Sequence, residues 1–222
     1  MIRGALPSRE GVDPMPHITH LTHVTFIGYR GTGKSTVAAM LGEQLGCGWS
    51  DADIFLEEKL GCSIASLVQT RGEAIFRDEE AAVLAELLVK CRGVLSTGGG
   101  VVLRAGNRDL LRRLGRPIVW LTSAAEVVCR RIAADPCSPQ RRPSLAVSSA
   151  ALPVPEGDPL AEVHATLAAR EPFYRECADL IIDTSDMPPE AVARDVAAWL
   201  TEEWPQRLQD ALPQKPSGGA TR

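Results

Sequence analysis

The sequence predicts an α/β fold, a parallel doubly wound sheet with helices on both faces, and three observations predict it. Short apolar runs alternate with longer amphipathic stretches along most of the chain, the pattern that repeated βαβ units leave. The first run, Val24 to Ile27, leads directly into Gly28-Tyr29-Arg30-Gly31-Thr32-Gly33-Lys34-Ser35, a G-x-x-x-x-G-K-S segment. Good helix formers follow from Thr36 to Leu45, among them Ala38, Ala39, Met40 and Leu41, so the glycine-rich segment joins a buried strand to a helix.

Strands are expected near 24–28, 48–51, 93–97, 117–121 and 179–183, each short, apolar and bounded by turn or polar residues. Helices fill the intervals. The longest, about 73–90, places Ile75, Phe76, Val83, Leu84, Leu87 and Leu88 at helical spacing with charge between them, as a helix packed on a sheet requires. Residues 1–22 carry Gly, Pro and mixed charge without periodicity and read as a disordered extension, with Met15 as an alternative start. The folded domain is expected over 23–204, and a tail over 205–222, with Pro205, Pro213, Pro216 and Gly218-Gly219, reads as disordered. Residues 136–159 contain six prolines and few large apolar groups, a composition that suits a lid, with a plain disordered insertion as the alternative.

Composition narrows the classes of function. A chain of 222 residues with 45% hydrophobic content suits one domain with an ample core. A formal charge of −4 gives no general attraction for nucleic acid or anionic lipid, and no run of eighteen apolar residues is present to span a membrane. Cys47, Cys62, Cys91, Cys129, Cys137 and Cys177 lack Cys-x-x-Cys spacing and a legible secretory leader, which predicts reduced thiols in a cytoplasmic protein. The four histidines, His17, His20, His23 and His164, form no ligand pattern.

The glycine-rich segment is a phosphate-binding loop: glycines let backbone N–H groups turn inward, Lys34 brings a point charge, and Ser35 can ligate Mg²⁺ through its hydroxyl. After the second strand, Asp51 and Asp53 are two apart, so in extended chain both carboxylates face the same cleft. One suits Mg²⁺ through water and the other a substrate hydroxyl, while either could instead cap a helix beginning at Ile54. Arg77 lies on the long helix with Glu80 three residues on, a spacing that lets the acid orient the guanidinium to fork onto a carboxylate; a solvated surface arginine is the plainer reading. Gly98-Gly99-Gly100 after the third strand suggests close backbone approach to a ligand, or simply a flexible turn.

Those residues, in that order, resemble the shikimate kinase family. The resemblance covers about Val24 to Leu200 and rests on five separated motifs: GYRGTGKS, Asp51-Ala52-Asp53, FRDEE from Phe76, STGGG from Ser96, and Arg141-Arg142-Pro143 followed by REPFY from Arg170. It implies a three-layer α/β/α fold with a five-stranded parallel sheet, of the nucleoside monophosphate kinase type among P-loop NTPases, with a mobile lid. It implies transfer of the ATP γ-phosphate, with Mg²⁺, to the 3-hydroxyl of shikimate, a step toward chorismate and the aromatic amino acids. Lys34, Asp53 and Arg142 take the catalytic roles by this resemblance, with Asp53 as proton acceptor and Arg142 as the lid arginine. ATP contacts fall to Gly31, Thr32, Gly33, Lys34, Ser35, Thr36, Arg130 and Arg142; Arg130 or its neighbour Arg131 matches the adenine-stacking arginine, unless either only complements a helix C-terminus. Shikimate contacts fall to Asp53, Arg77, Gly99, Gly100 and Arg170, and Mg²⁺ to Ser35 and, through water, Asp51.

Two arginines for the carboxylate and an aspartate for the hydroxyls form a matched pocket for such a substrate. The partners expected are therefore ATP and shikimate for a monomeric enzyme, without nucleic acid or membrane. A departure from the family is the segment after Arg142-Pro143, where a longer Ser/Ala/Pro stretch replaces the usual leucine pair and short lid. Two other readings carry the same phosphate loop: a related kinase such as gluconate kinase, and a nucleotide-binding module without catalysis.

Overall fold

The computed structural model describes residues 23–135 and 158–205; the expectations for 1–22, for Cys137, for Arg142 with the rest of 136–157, and for 206–222 concern residues outside that range. In chain order the elements are β1 (His23–Ile27), α1 (Lys34–Gln44), β2 (Gly48–Asp51), α2 (Ala52–Leu60), α3 (Ile64–Arg71) and α4 (Glu73–Lys90). Then come β3 (Gly93–Ser96), a 3₁₀ turn (Val101–Leu103), α5 (Ala105–Leu114), β4 (Ile118–Thr122), α6 (Ala125–Ala134), α7 (Pro159–Cys177), β5 (Leu180–Asp183) and α8 (Pro189–Glu202). The strands form one sheet in the order β2-β3-β1-β4-β5, every pair parallel.

Strand periodicity divides the core into two layers. Successive residues of a strand point to opposite faces, so Val24 and Phe26 of β1 join one cluster and Ile27 the other, while in β4 Val119 and Leu121 alternate with Ile118 and Trp120. One face is covered by α1 and α8 through Val37, Ala38, Leu41, Val196 and Leu200. The other is covered by α2 to α5 and α7, through Leu56, Leu67, Leu84, Leu87, Leu111 and Tyr174. The central strands are buried on both sides and read as continuous apolar runs, as parallel sheets do. The edge strand β5 alternates in exposure, with Ile181 in solvent.

Leu41 has no solvent exposure and anchors α1 on the sheet. Leu41→Ala is expected to cost about 3 kcal/mol and to lower Tm by roughly 6 to 12 °C in thermal unfolding. A loss under about 1 kcal/mol would contradict close packing of α1.

The topology fixes where ligands gather. The chain leaves β1 toward β2 on one side, and leaves β3 past β1 toward β4 on the other. A crevice opens between carboxyl ends of neighbouring strands where the connections diverge, here between β1 and β3. The loops that meet there are 28–33 and 97–100, the two glycine-rich segments.

Candidate active site

The loop after β1 is built so that its amides face inward. Gly28 has φ +139°, and a β-carbon there would lie 2.2 Å from the Leu121 carbonyl oxygen of β4, so only glycine fits. Gly33 is the left-handed N-cap of α1, makes no side-chain cap bond, and the first turn holds no acidic residue. The positive end of the helix is therefore not neutralised from within and favours an anion. Lys34 is buried and its Nζ donates to the Tyr29 carbonyl at 2.8 Å; the Thr32 hydroxyl donates to the same oxygen at 2.8 Å.

Ser35 donates from Oγ to Asp51 Oδ2 at 2.5 Å, and its Oγ lies 3.3 Å from Ser96 Oγ at the end of β3. The other oxygen of Asp51 accepts from the backbone amides of Asp53 and Ile54 at 2.9 and 3.3 Å, capping α2. The geometry expected for the acidic pair is corrected here: the helix begins at Ala52 rather than Ile54, so Asp53 stands in its first turn and not in extended chain. Both carboxylates still line the cleft, because the turn into α2 occurs at its floor. Hydroxyl and carboxylate oxygens converging beside a phosphate loop suit a hard, oxygen-seeking cation such as Mg²⁺. Among the described residues no cluster of three or more His, Cys, Asp or Glu side chains could hold a metal ion.

The acceptor side is assembled on α4, α7 and the glycine triplet. Arg77 is buried; its Nη1 donates to Glu80 at 2.8 Å, its Nη2 and Nε to Glu73 at 3.2 and 3.3 Å, and its guanidinium lies 4.8 Å from the Phe76 ring centroid. The plainer reading of a solvated arginine is thus set aside by burial and three directed bonds. Burial pushes the Glu80 carboxyl above its ordinary range, and the Arg77, Arg170 and Arg104 guanidiniums pull it back. A β-carbon at Gly100 would lie 2.2 Å from Arg77 Nη1, and one at Gly98 2.7 Å from Glu80 Oε1 and 2.9 Å from Asp53 Oδ1. The absent side chains therefore make room for charged groups that must meet. Gly100→Ala is expected to displace the Arg77 guanidinium and raise the KM for an acidic acceptor by at least about tenfold, while thermal unfolding shows a folded protein.

Arg170, buried on α7, donates from Nη1 to the Gly99 carbonyl at 3.2 Å and lies 5.5 Å from the Tyr29 ring centroid. The Tyr174 hydroxyl, one turn further along α7, donates to the same carbonyl. Its ring stacks on Trp120 at 5.5 Å, and burial pushes its hydroxyl pKa up to about 12, so it remains a donor.

These groups line two connected hollows. The larger cleft, about 560 Å³, runs from the phosphate loop past Asp51 to Arg131, Thr184 and Pro189. The smaller is lined by Tyr29, Phe76, Arg77, Glu80, Gly98, Gly99, Gly100 and Arg170, and the two share Arg30, Asp53 and Ile64. Gly31, Thr32, Gly33, Lys34, Ser35 and Thr36 all line the larger. Of the adjacent pair on α6, Arg131 reaches the cleft wall, donating to Thr184 Oγ1 at 3.1 Å and Thr184 O at 2.6 Å; Arg130 is exposed and lines neither hollow. Arg142 lies outside the described residues.

Tyr29, Tyr174 and Thr184 were not singled out by sequence. Tyr174 sits inside the REPFY motif and Tyr29 inside GYRGTGKS, which offer a signal; Thr184 acts through contacts of remote elements. The five described cysteines are free thiols, and among the described residues no helix is long and apolar enough to cross a membrane.

Residues 30–201 match a family model described as shikimate kinase. A shikimate kinase of Syntrophus aciditrophicus is 39% identical over 170 residues, covering 77% of this chain and 86% of that protein. One of Oleidesulfovibrio alaskensis is 41% identical over 167 residues, covering 75% and 90%. The fold superposes with TM-score 0.71 on a structure of shikimate kinase from Acinetobacter baumannii in complex with shikimate, at 29% identity over 87% of this chain and 97% of that one.

Proposed function

Since this chain belongs to the shikimate kinase family, it is an ATP-dependent kinase acting on shikimate, and we propose that the larger cleft holds MgATP and the smaller hollow holds shikimate. The observation that carries this division is the join between them. Asp53 and Arg30 stand where the hollows meet, with Lys34 and Ser35 on one side and Arg77, Arg170 and the glycine triplet on the other. A hydroxyl in the smaller hollow beside Asp53 would face a terminal phosphate over the loop.

Arg77 and Arg170 bind the shikimate carboxylate, and the Gly99-Gly100 backbone closes the pocket against the ring. Asp53 accepts a hydrogen bond from the 3-hydroxyl, directs its lone pair at the γ-phosphorus and takes its proton as the new O–P bond forms and the bond from the γ-phosphorus to the β-phosphate oxygen breaks, releasing ADP. Lys34 leaves the Tyr29 carbonyl for the phosphate oxygens and, with the loop amides and Arg142, offsets the negative charge that spreads over the transferring group. Ser35 and, through water, Asp51 would hold Mg²⁺, which would supply positive charge to the phosphates. Arg130 or Arg131 meets the adenine; the contacts of Arg131 with the cleft wall favour Arg131 as the residue that shapes it. A monomer of domain 23–204 acting in the cytoplasm is part of the same proposal, and the free thiols of the five described cysteines support that setting.

Purified protein with MgATP is expected to release ADP when shikimate is added and not when gluconate is added. Equal release with both acceptors, or none with shikimate, would sink the assignment. Asp53→Asn is expected to lower kcat by about 10² to 10⁴, the span of general-base catalysis; retention of most turnover would leave Asp53 with hydroxyl orientation alone.

A further inference from the structure

We propose that Tyr29, a residue of the phosphate loop, is a positioning residue for the acceptor's carboxylate through its ring contact with Arg170. The proposal rests on the reading of the smaller hollow as the shikimate pocket. Tyr29 is 5% exposed, and its ring packs against Ala125, Val128 and Val163 of α6 and α7, which fixes the plane of the ring. The Arg170 guanidinium lies 5.5 Å from its centroid and that of Arg30 5.9 Å, both within reach of the ring quadrupole.

Arg170 donates from Nη1 to the Gly99 carbonyl, hydrogen-bonds the Tyr174 hydroxyl and lies near the Glu80 carboxylate. Those polar contacts hold edges of the guanidinium, and the Tyr29 ring covers its face, which sets the plane in which the remaining N–H groups meet the hollow. Arg77 shows the parallel: on α4 it is held by Glu73, Glu80 and the Phe76 ring. The Tyr29 ring supplies Arg170 with the equivalent of the Phe76 face. The backbone carbonyl of Tyr29 accepts from the Thr32 hydroxyl, so the ring is carried on a hydrogen-bonded turn of the loop that stays closed when Lys34 turns to the phosphates.

The test compares Tyr29→Leu, which keeps apolar bulk and removes the ring, with Tyr29→Phe, which keeps the ring. Tyr29→Leu is expected to raise the KM for shikimate about fivefold or more, with the KM for ATP and kcat within about twofold of wild type. Tyr29→Phe is expected to stay within about twofold on all three. A purely structural role would instead lower Tm and kcat or shift both KM values together, and that outcome, or an unchanged shikimate KM in Tyr29→Leu, overturns the proposal. If Tyr29→Leu does not fold, Tyr29→Met serves with the same expectations. Wild-type protein without shikimate-dependent ADP release would overturn the acceptor assignment itself, and the role of Tyr29 with it.

Discussion

Arg77→Ala is expected to raise the KM for shikimate roughly 100-fold, because hydrogen bonds to a charged group contribute about 1.5 to 3 kcal/mol each and the guanidinium can make two to one carboxylate. The KM for ATP is expected to move less than about threefold, since Arg77 lines only the smaller hollow. The variant also has a folding cost that must be separated from the binding loss. Removing the guanidinium leaves Glu80 buried without its nearest cation, and breaking a buried pair from one side costs about 3 to 5 kcal/mol.

That cost should depend on pH in a defined direction. Burial already holds the Glu80 carboxyl above its ordinary range, and loss of Arg77 removes the largest opposing influence. A carboxyl whose folded pKa is raised binds its proton more tightly in the folded state, so stability is greatest below its unfolded pKa and falls as pH rises to the folded value. Urea unfolding of Arg77→Ala is therefore expected to show a larger deficit against wild type at about pH 8 than at about pH 5. Adding Glu80→Ala should recover stability at the higher pH while the shikimate KM stays high. Recovery of KM in the double variant would show that Arg77 acts only through folding.

The sheet was legible because its signals are local. Four of the five strands are short apolar runs, β2 with its Gly-Trp-Ser-Asp being the exception, and each lies within a residue or two of its expected position, as does the helix Glu73–Lys90. Residue chemistry carried by one contiguous segment, as in the loop ending at Lys34-Ser35, is legible for the same reason. The spacing of Arg77 and Glu80 foretold their bond, since a helix brings residues three apart onto one face. Contacts between remote elements left no such trace. Nothing in the spacing of Tyr29 and Arg170, or of Arg131 and Thr184, indicates that they meet; the crossing of α7 and α6 over the carboxyl end of the sheet brings them together. The start of α2 was misjudged because Asp51 serves two roles at once, and its capping of the Asp53 and Ile54 amides pulls the helix back to Ala52.

Lys34→Met should show the opposite kinetic signature, a fall in kcat of roughly 10³ with modest changes in both KM values, in line with loss of a single preorganised charge at a reacting centre. Methionine preserves most of the length and apolar stem of the lysine, and the Tyr29 carbonyl that loses the ammonium keeps the Thr32 hydroxyl and, at 3.4 Å, the Thr32 amide. The loop is therefore expected to hold its shape, with thermal unfolding close to that of wild type. Ground-state ATP remains bound by the loop amides and the helix terminus, neither of which depends on the Lys34 side chain. What is lost is attraction that grows as the γ-phosphoryl group separates from the β-phosphate, and an interaction that strengthens only toward the transition state appears in kcat rather than in KM. A kcat within about tenfold of wild type would assign charge neutralisation chiefly to Mg²⁺ and the arginines, and a rise in ATP KM without loss of kcat would make Lys34 a binding group only.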